Sequence, residues 1–259
     1  MAPLAASIPT IQTGTPGAIL CYHAVSQRSA PEVVSVDSLR RQFEMLSLKY
    51  NVITVDQMVA EIRQGKSNEP LRIAITFDDG YKGVIQHGLP ALREHGLLAT
   101  AYILPGLWGT TAKWPSSSPA SERRLWDRED AIEWKRSGMG IGSHGMTHKD
   151  LSEASASAVD EEVAGSKLAL EEVLGPVAGF CYPWGRSSPL AQQRVEAAGY
   201  RYGLAGGYSR QHVASDLLAL GRITVDHDDS LDDFRMKLRG GYDWLDGLVR
   251  LRSRLAWRP

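Results

Sequence analysis

Two short segments carry the side chains best suited to chemistry. Asp78 and Asp79 follow the apolar run at residues 72–77, and His144 and His148 lie four residues apart in a second segment. One carboxylate and two imidazoles are a ligand set for a catalytic divalent metal that keeps positions open for water and substrate. Such a metal lowers the pKa of water, and the carboxylate left over can accept the proton released. These residues therefore predict metal-assisted hydrolysis.

Both segments are expected at the ends of β-strands. Apolar runs precede Asp78 and His144, and the carboxyl ends of parallel strands meet at one face of a barrel. Adjacent strand residues point to opposite sides, so Asp78 and Asp79 are identical ligands only if the chain turns between them. Gly80 permits such a turn. We expect one aspartate to bind the metal and the other to act as the base.

The hydrophobic pattern predicts strands that alternate with helices. We expect strands at residues 18–22, 72–77, 99–104, 140–143, 179–182, 200–205 and 219–225. We expect helices around residues 38–49, 55–64, 83–95, 128–137, 154–174, 189–198 and 231–238. Repeated β–α order with short junctions predicts parallel strands joined by helices. Seven strands favour a distorted (β/α)7 barrel, with an open doubly wound sheet as the second choice.

Composition indicates one globular α/β domain. The 259 residues are 43% hydrophobic and 23% charged, and the net charge is -1, which provides no basic field for nucleic acid. We expect a barrel over residues 17–240, preceded by an extension over 1–16 and followed by a basic amphipathic helix over 241–259. The two cysteines, Cys21 and Cys181, lie in apolar runs and are expected to be buried thiols rather than a disulfide.

The two termini bear on localisation. Residues 1–16 lack the basic and apolar regions of a signal peptide, and no apolar run is long enough to span a bilayer, so we expect a cytoplasmic protein. The basic C-terminal helix is expected to be solvated or packed on the domain, while peripheral membrane contact stays open. The sequence gives no indication of the oligomeric state.

A long irregular segment follows the predicted strand at 99–104. Residues 105–122 contain glycines, prolines, a serine run, Trp108 and Trp114. Loops at the carboxyl ends of barrel strands build active-site walls, and aromatic residues such as Trp108 suit a wall that faces a sugar. The alternative is a mobile surface insertion.

The motifs resemble those of a known family. Residues 76–80 (TFDDG) and 143–148 (SHGMTH) are similar to the first two motifs of the polysaccharide deacetylase family, also called NodB-homology or carbohydrate esterase family 4. Residues 21–25 (CYHAV) resemble the opening of its bacterial exopolysaccharide-deacetylase branch. The similarity extends to residues 222–225, so it covers most of the chain.

The resemblance implies specific roles. Asp79, His144 and His148 would hold a divalent metal, usually zinc, and Asp78 would be the general base. The third family motif matches residues 180–185, where the backbone N–H of Tyr182 would stabilise the tetrahedral oxyanion. The residues expected at the substrate are Tyr182, Pro183, Trp184 and Gly185 of this motif, together with Trp108 from the aromatic loop and His23 at the end of the first strand.

The chain also departs from the family pattern in two places. Many members carry an arginine in the third motif that steadies the catalytic aspartate, whereas this chain has Cys181 there, and Arg222 is a candidate substitute. Members often have a late Leu-x-His whose histidine protonates the leaving amine. His227 is the nearest substitute for this acid, and His23 is a second candidate for a role in the site.

The resemblance implies a metal-dependent de-N-acetylase that releases acetate from an N-acetylhexosamine in a glycan or glycan precursor. Because we expect a cytoplasmic protein, a lipid- or nucleotide-linked precursor is favoured. One alternative is a deformylase or a hydrolase of a non-sugar amide on the same metal site. Another is a carbohydrate-binding homologue without catalysis, although binding alone needs no proton acceptor at Asp78.

Overall fold

The computed structural model describes residues 15–66, 71–114, 123–206, 211–212 and 217–241. Within these residues the chain forms eleven strands and eight α-helices. The strands are β1 (Thr15–Tyr22), β2 (Ala24–Ser26), β3 (Val33–Ser35), β4 (Asn51–Val52), β5 (Arg72–Phe77), β6 (Ala99–Ile103), β7 (Gly140–Ser143), β8 (Gly179–Cys181), β9 (Tyr202–Leu204), β10 (Gln211–His212) and β11 (Ile223–Thr224). The helices are α1 (Val36–Lys49), α2 (Val55–Arg63), α3 (Leu89–Glu94), α4 (Arg128–Arg136), α5 (Ala156–Asp160), α6 (Ser166–Leu174), α7 (Pro189–Ala197) and α8 (Leu231–Arg239).

Seven strands form a curled parallel sheet in the order β11-β1-β5-β6-β7-β8-β9. A parallel bridge between Leu204 and Leu220 joins β9 to the segment that leads into β11, which brings the two edges together. The barrel is distorted because β11 is short and because β7 pairs with β8 at one position, Ser143 with Phe180. The predicted (β/α)7 barrel is confirmed, and the open doubly wound sheet is not what the chain forms.

Apolar residues on both faces of the central strands explain this architecture. Every residue of β6 is buried, as are the last five residues of β5, because the barrel interior covers one face and the helices cover the other. Side-chain caps define where helices begin. Thr54 and Asp127, for example, start α2 and α4 with reciprocal capping hydrogen bonds.

Several predicted elements differ in detail from the observed ones. The helix expected at 154–174 is α5 and α6 joined by a π-helical turn at Glu161–Gly165, and a second π-helical turn at Val84–Gly88 precedes α3. The strand expected at 219–225 is reduced to β11. Short strands β2, β3, β4 and β10 were not expected, because pieces of two or three residues carry no periodicity to read.

Four further expectations concern the cysteines, the start of the barrel, the C-terminal helix and membrane spans. Cys21 and Cys181 are both buried free thiols, as predicted. Strand β1 begins at Thr15, two residues before the expected start of the barrel. The expected C-terminal helix lies outside the described residues, apart from residue 241. None of the described helices has the length and apolar character needed to cross a membrane.

Candidate active site

The carboxyl end of β5 carries the two aspartates. The Asp78 N–H donates to the Tyr22 carbonyl at 2.9 Å and so continues the pairing with β1. The backbone then turns, since φ is 69° at Asp79 and 72° at Gly80. Two successive left-handed residues send the neighbouring carboxylates in different directions. Both side chains are buried, with 2% and 3% of their surfaces exposed.

The carboxyl end of β7 carries the two histidines. His144 Nδ1 lies 2.8 Å from the Cys181 carbonyl, an acceptor that requires the proton on Nδ1 and leaves Nε2 free to bind a metal. The backbone of His148 is itself in the left-handed region, with a φ of 66°. The structure therefore turns the chain sharply at a second position where a ligand is expected.

Asp79, His144 and His148 come together in one buried cluster. Asp79 Oδ1 lies 3.4 Å from His144 Nε2 and 3.2 Å from His148 Nε2. One ligand atom from each residue lies within 4.8 Å of the other two. The three predicted ligands, drawn from segments 65 residues apart in the sequence, are thus neighbours.

The residues of this cluster fit a metal ion. Ligands about 2.05 Å from a tetrahedral zinc lie about 3.3 Å apart, which matches the observed separations. Asp79 Oδ1 and His148 Nδ1 are buried, and no described residue gives either atom a hydrogen bond. Burial raises the pKa of Asp79, but the imidazoles of His148 and His144 outweigh it and hold that pKa well below its usual value. A carboxylate with a free lone pair therefore faces two imidazoles.

Asp78 is held next to the cluster by Arg222. The guanidinium donates to Asp78 Oδ1 at 2.8 Å and to Oδ2 at 2.7 Å, a bidentate pair whose members are both at least 96% buried. Burial raises the pKa of Asp78, but Arg222 overrides it and holds the pKa well below the usual value. The predicted contact between Arg222 and this aspartate is confirmed. Arg222 directly precedes β11 in the chain.

Two thiols complete the surroundings of Asp78. The Sγ atoms of Cys21 and Cys181 lie 3.6 Å and 3.5 Å from Asp78 Oδ2. Burial raises the pKa of both thiols, so they meet the carboxylate as neutral, weak donors.

Glu162 holds the loop between the two histidines, a role that the sequence did not reveal. Its Oε2 accepts from the Met146 N–H at 2.7 Å and from the Thr147 N–H at 2.8 Å, and its Oε1 accepts from the Thr147 hydroxyl. The side chain is buried on the π-helical turn between α5 and α6. A glutamate within a helix is ordinarily read as a solvated residue, so the sequence carried no signal for this contact.

Aromatic rings cover His148 on two sides. Trp114 stacks on its ring with centroids 4.2 Å apart, and Trp184 lies at 4.9 Å. The Trp114 indole donates to the Tyr81 hydroxyl at 2.9 Å. Trp184, which has a φ of 61°, leaves 48% of its surface exposed and so presents a face to an incoming molecule. Among the described residues of the loop after β6, Trp114 is the one whose ring stacks on a histidine of the cluster.

Other expected contacts turn out differently. Trp108 packs against the hydrophobic core, and no described contact joins it to the cluster. The Tyr182 N–H donates to the Leu204 carbonyl at 2.9 Å, which pairs β8 with β9. The prediction that this N–H stabilises an oxyanion is therefore corrected, because strand pairing already uses it. The Tyr182 hydroxyl donates to the Leu218 carbonyl, so the side chain is also committed to the fold.

Pro183 and Gly185 shape the backbone around Trp184. Pro183 is buried, and Gly185 is left-handed with φ 66°. A Cβ on Gly185 would approach the Gly206 backbone to 2.7 Å, so only glycine fits there. These two residues position the exposed indole of Trp184.

His227, the candidate acid, and His23, the second candidate for a role in the site, differ in position. A ring nitrogen of His23 lies within 4.8 Å of an Asp78 oxygen and of Cys21 Sγ, at the end of β1. The ring of His227 lies in the loop after β11, where Asp228 is its ion-pair neighbour among the described residues at 3.6 Å. The structure thus brings His23 next to Asp78, and no described contact joins His227 to that aspartate or to the cluster.

Comparisons with known proteins identify the family. The family model described as polysaccharide deacetylase matches residues 65–203, which is more than half of the chain and includes both aspartates and both histidines. This chain belongs to the polysaccharide deacetylase family. Among curated relatives, the "Putative polysaccharide deacetylase YxkH" of Bacillus subtilis (strain 168) is 25% identical over 211 residues, which cover 80% of this chain and 70% of the relative.

Solved structures share the fold of this chain. The Streptococcus pyogenes deacetylase PplD, determined in complex with acetate, matches with a TM-score of 0.75 and 21% sequence identity. The match covers 87% of this chain and 99% of the PplD chain. IcaB from Ammonifex degensii also has a TM-score of 0.75, at 20% identity, over 88% of this chain and 97% of its own. At these identities the similarity establishes the (β/α)7 barrel.

Proposed function

We propose that this polysaccharide deacetylase is a metal-dependent hydrolase that removes the N-acetyl group from an N-acetylhexosamine unit of a glycan or glycan precursor. One observation carries the proposal: an Asp-His-His cluster with free lone pairs lies beside a second aspartate kept ionised by Arg222. The family membership supports deacetylation, and the acetate in the PplD structure is the same small product that we propose here.

Asp79, His144 and His148 would hold the metal, and two imidazoles with one carboxylate suit zinc. A divalent metal bound there supplies a positive centre that polarises an acyl carbonyl and makes water more acidic. The hydrogen bond from His144 Nδ1 to Cys181 fixes the ring so that Nε2 faces the cluster. Asp79 brings a full negative charge, because its neighbours keep its pKa low.

Asp78 would take the proton from the attacking water. The bidentate contact with Arg222 keeps its carboxylate ionised and fixes its orientation, so that it is ready to accept a proton without rearrangement. His23, close to Asp78, would give a proton to the departing nitrogen. The exposed indole of Trp184 would support a sugar ring by contact with its apolar face.

The test is acetate release from N-acetylated sugars by metal-reconstituted protein, with small non-sugar amides and formamides as alternative substrates. Asp78→Asn should abolish turnover while metal content stays near that of the wild type, because Asp78 is not in the proposed ligand set. The melting temperature and metal content of the variant confirm that it is folded and loaded. Unchanged turnover in a folded, loaded Asp78→Asn protein would refute the role of Asp78 as base.

A further inference from the structure

Glu32 occupies a turn position that ordinarily holds glycine. The Val33 N–H donates to the Ala30 carbonyl at 2.7 Å, which closes a four-residue turn. Pro31 at the second position and a φ of 66° at Glu32, the third position, are the signature of a type II turn. Glycine is favoured at that third position because a Cβ crowds the backbone in the left-handed region. A glutamate there destabilises the turn.

Left-handed residues other than glycine gather around the candidate site. Among the described residues there are four: Glu32, Asp79, His148 and Trp184. Asp79 and His148 are proposed metal ligands, and Trp184 is the exposed aromatic residue next to them. Strained backbone persists at positions where a particular side chain is needed. The presence of Glu32 in this set calls for a role of the same kind.

The backbone of Glu32 lies beside the segment that follows β1, next to His23. Its carbonyl accepts from the Ala24 N–H at 3.0 Å, and Ala24 directly follows His23. Partial enclosure raises the pKa of the exposed Glu32 carboxyl, and Asp79 raises it further, while His23 and His148 lower it. Within the described residues no lysine or arginine forms an ion pair with this carboxylate. The Glu32 carboxylate thus interacts electrostatically with Asp79 and two histidines of the site, and among the described residues it is not paired with a lysine or an arginine.

We propose that Glu32 binds the nitrogen side of the substrate. It accepts a hydrogen bond from the N–H of the scissile amide and then binds the ammonium group of the amino-sugar product. This inference rests on the proposed function. A carboxylate suits an ammonium because charge-assisted hydrogen bonds are stronger than neutral ones. Acetate, the other product, is an anion that Glu32 would repel, so the two products distinguish the two sides of the bond.

Calorimetric titration of the metal-loaded protein with glucosamine and with acetate tests this assignment. Glu32→Gln should weaken glucosamine binding by about tenfold, since a hydrogen bond to a charged group is replaced by a neutral one. Acetate binding should be unchanged or slightly stronger. Glu44→Gln, which alters an exposed carboxylate on α1, is the matched control and should bind both molecules as the wild type does.

A second variant separates binding from fold. Glu32→Gly removes the carboxylate and supplies the residue that the turn favours, so its melting temperature should stay level or rise by about 2–4 °C. Its glucosamine affinity should fall as in Glu32→Gln. Equal glucosamine affinity in Glu32→Gln, Glu44→Gln and wild type would overturn the inference. A lower melting temperature in Glu32→Gly with unchanged affinity would assign the glutamate to the turn instead.

Failure of the proposed function would look different. In that case the wild-type protein would release no acetate from any N-acetylated sugar, whatever stands at position 32. Titration with glucosamine does not depend on turnover, so it decides the role of Glu32 separately. If the wild-type protein is active but the Glu32 variants bind glucosamine as the wild type does, the proposed function stands and only this inference is refuted.

Discussion

Arg222→Met should disable Asp78 without touching a proposed metal ligand. The substitution keeps an apolar chain of similar length but removes the two hydrogen bonds, of 2.8 Å and 2.7 Å, that the guanidinium donates to Asp78. Removing one partner of a buried pair strands the other charge, which costs about 3–5 kcal/mol. For a chain of this size that is a loss of roughly 6–20 °C in melting temperature.

The effect on pH dependence follows from the sign of the pKa shift. In the wild type the pKa of Asp78 is held below its unfolded value of about 3.9, so its stabilising contribution is present above about pH 4 and is lost as pH falls through the folded pKa. Without Arg222, burial dominates and the pKa rises. The stability difference between wild type and Arg222→Met should therefore be largest near pH 7 and shrink toward pH 3.

Urea unfolding of the metal-free proteins between pH 3 and pH 7 measures this difference. The profile of kcat/KM for the metal-loaded enzymes should show the acid limb of Arg222→Met at higher pH than that of the wild type, because a base with a raised pKa is protonated earlier. Arg222→Lys is the matched control. It keeps the positive charge but loses the bidentate hydrogen bonds, so its stability and its acid limb should lie between those of the wild type and Arg222→Met. A stability difference that does not change with pH, together with an unshifted acid limb, would refute the assigned role of Arg222.

Two further changes test neighbouring features. Glu162→Gln should weaken zinc binding by roughly 10–100-fold in competition with a chelator, because the loop between the histidines loses its charged hydrogen-bond acceptor. Glu161→Gln, on the exposed side of the same turn, is the control and should not weaken zinc binding. Equal zinc affinities in the two variants would count against a positioning role for Glu162. His227→Ala should keep kcat/KM within about twofold of the wild type, since its ring faces Asp228, and a fall of 100-fold or more would restore it as the acid.

The parts of the site that could be predicted were those carried by local sequence. Asp78, Asp79 and His144 follow apolar runs directly, and strand ends of a parallel barrel meet at one face, so their proximity follows from fold class alone. His148 lies in the same short segment as His144. Burial and distance between these four residues needed no information beyond the strand pattern and the barrel.

The features that escaped prediction depend on side-chain direction or on a hydrogen-bond partner far along the chain. Glu162 sits on a helix, and nothing in its neighbourhood shows that it faces inward. The N–H of Tyr182 was assigned from the family motif, but the partner that occupies it belongs to β9. Trp108 and Trp114 share one loop, and which of them stacks on a histidine depends on a loop path that periodicity does not describe.

Arg222 explains how Asp78 stays ionised in a chain that has Cys181 where the family resemblance implies an arginine. Asp78 needs a guanidinium within hydrogen-bond distance in a buried environment. The position in the chain from which that guanidinium comes does not matter. Because β11 pairs directly with β1, and β1 with β5, the long side chain of the residue before β11 reaches the carboxylate at the end of β5. Cys181 then has to be small and uncharged, since a second cation would compete with Arg222 for the same carboxylate. A thiol meets both conditions, so Cys181 and the arginine 41 residues later contact the same carboxylate without competing for it.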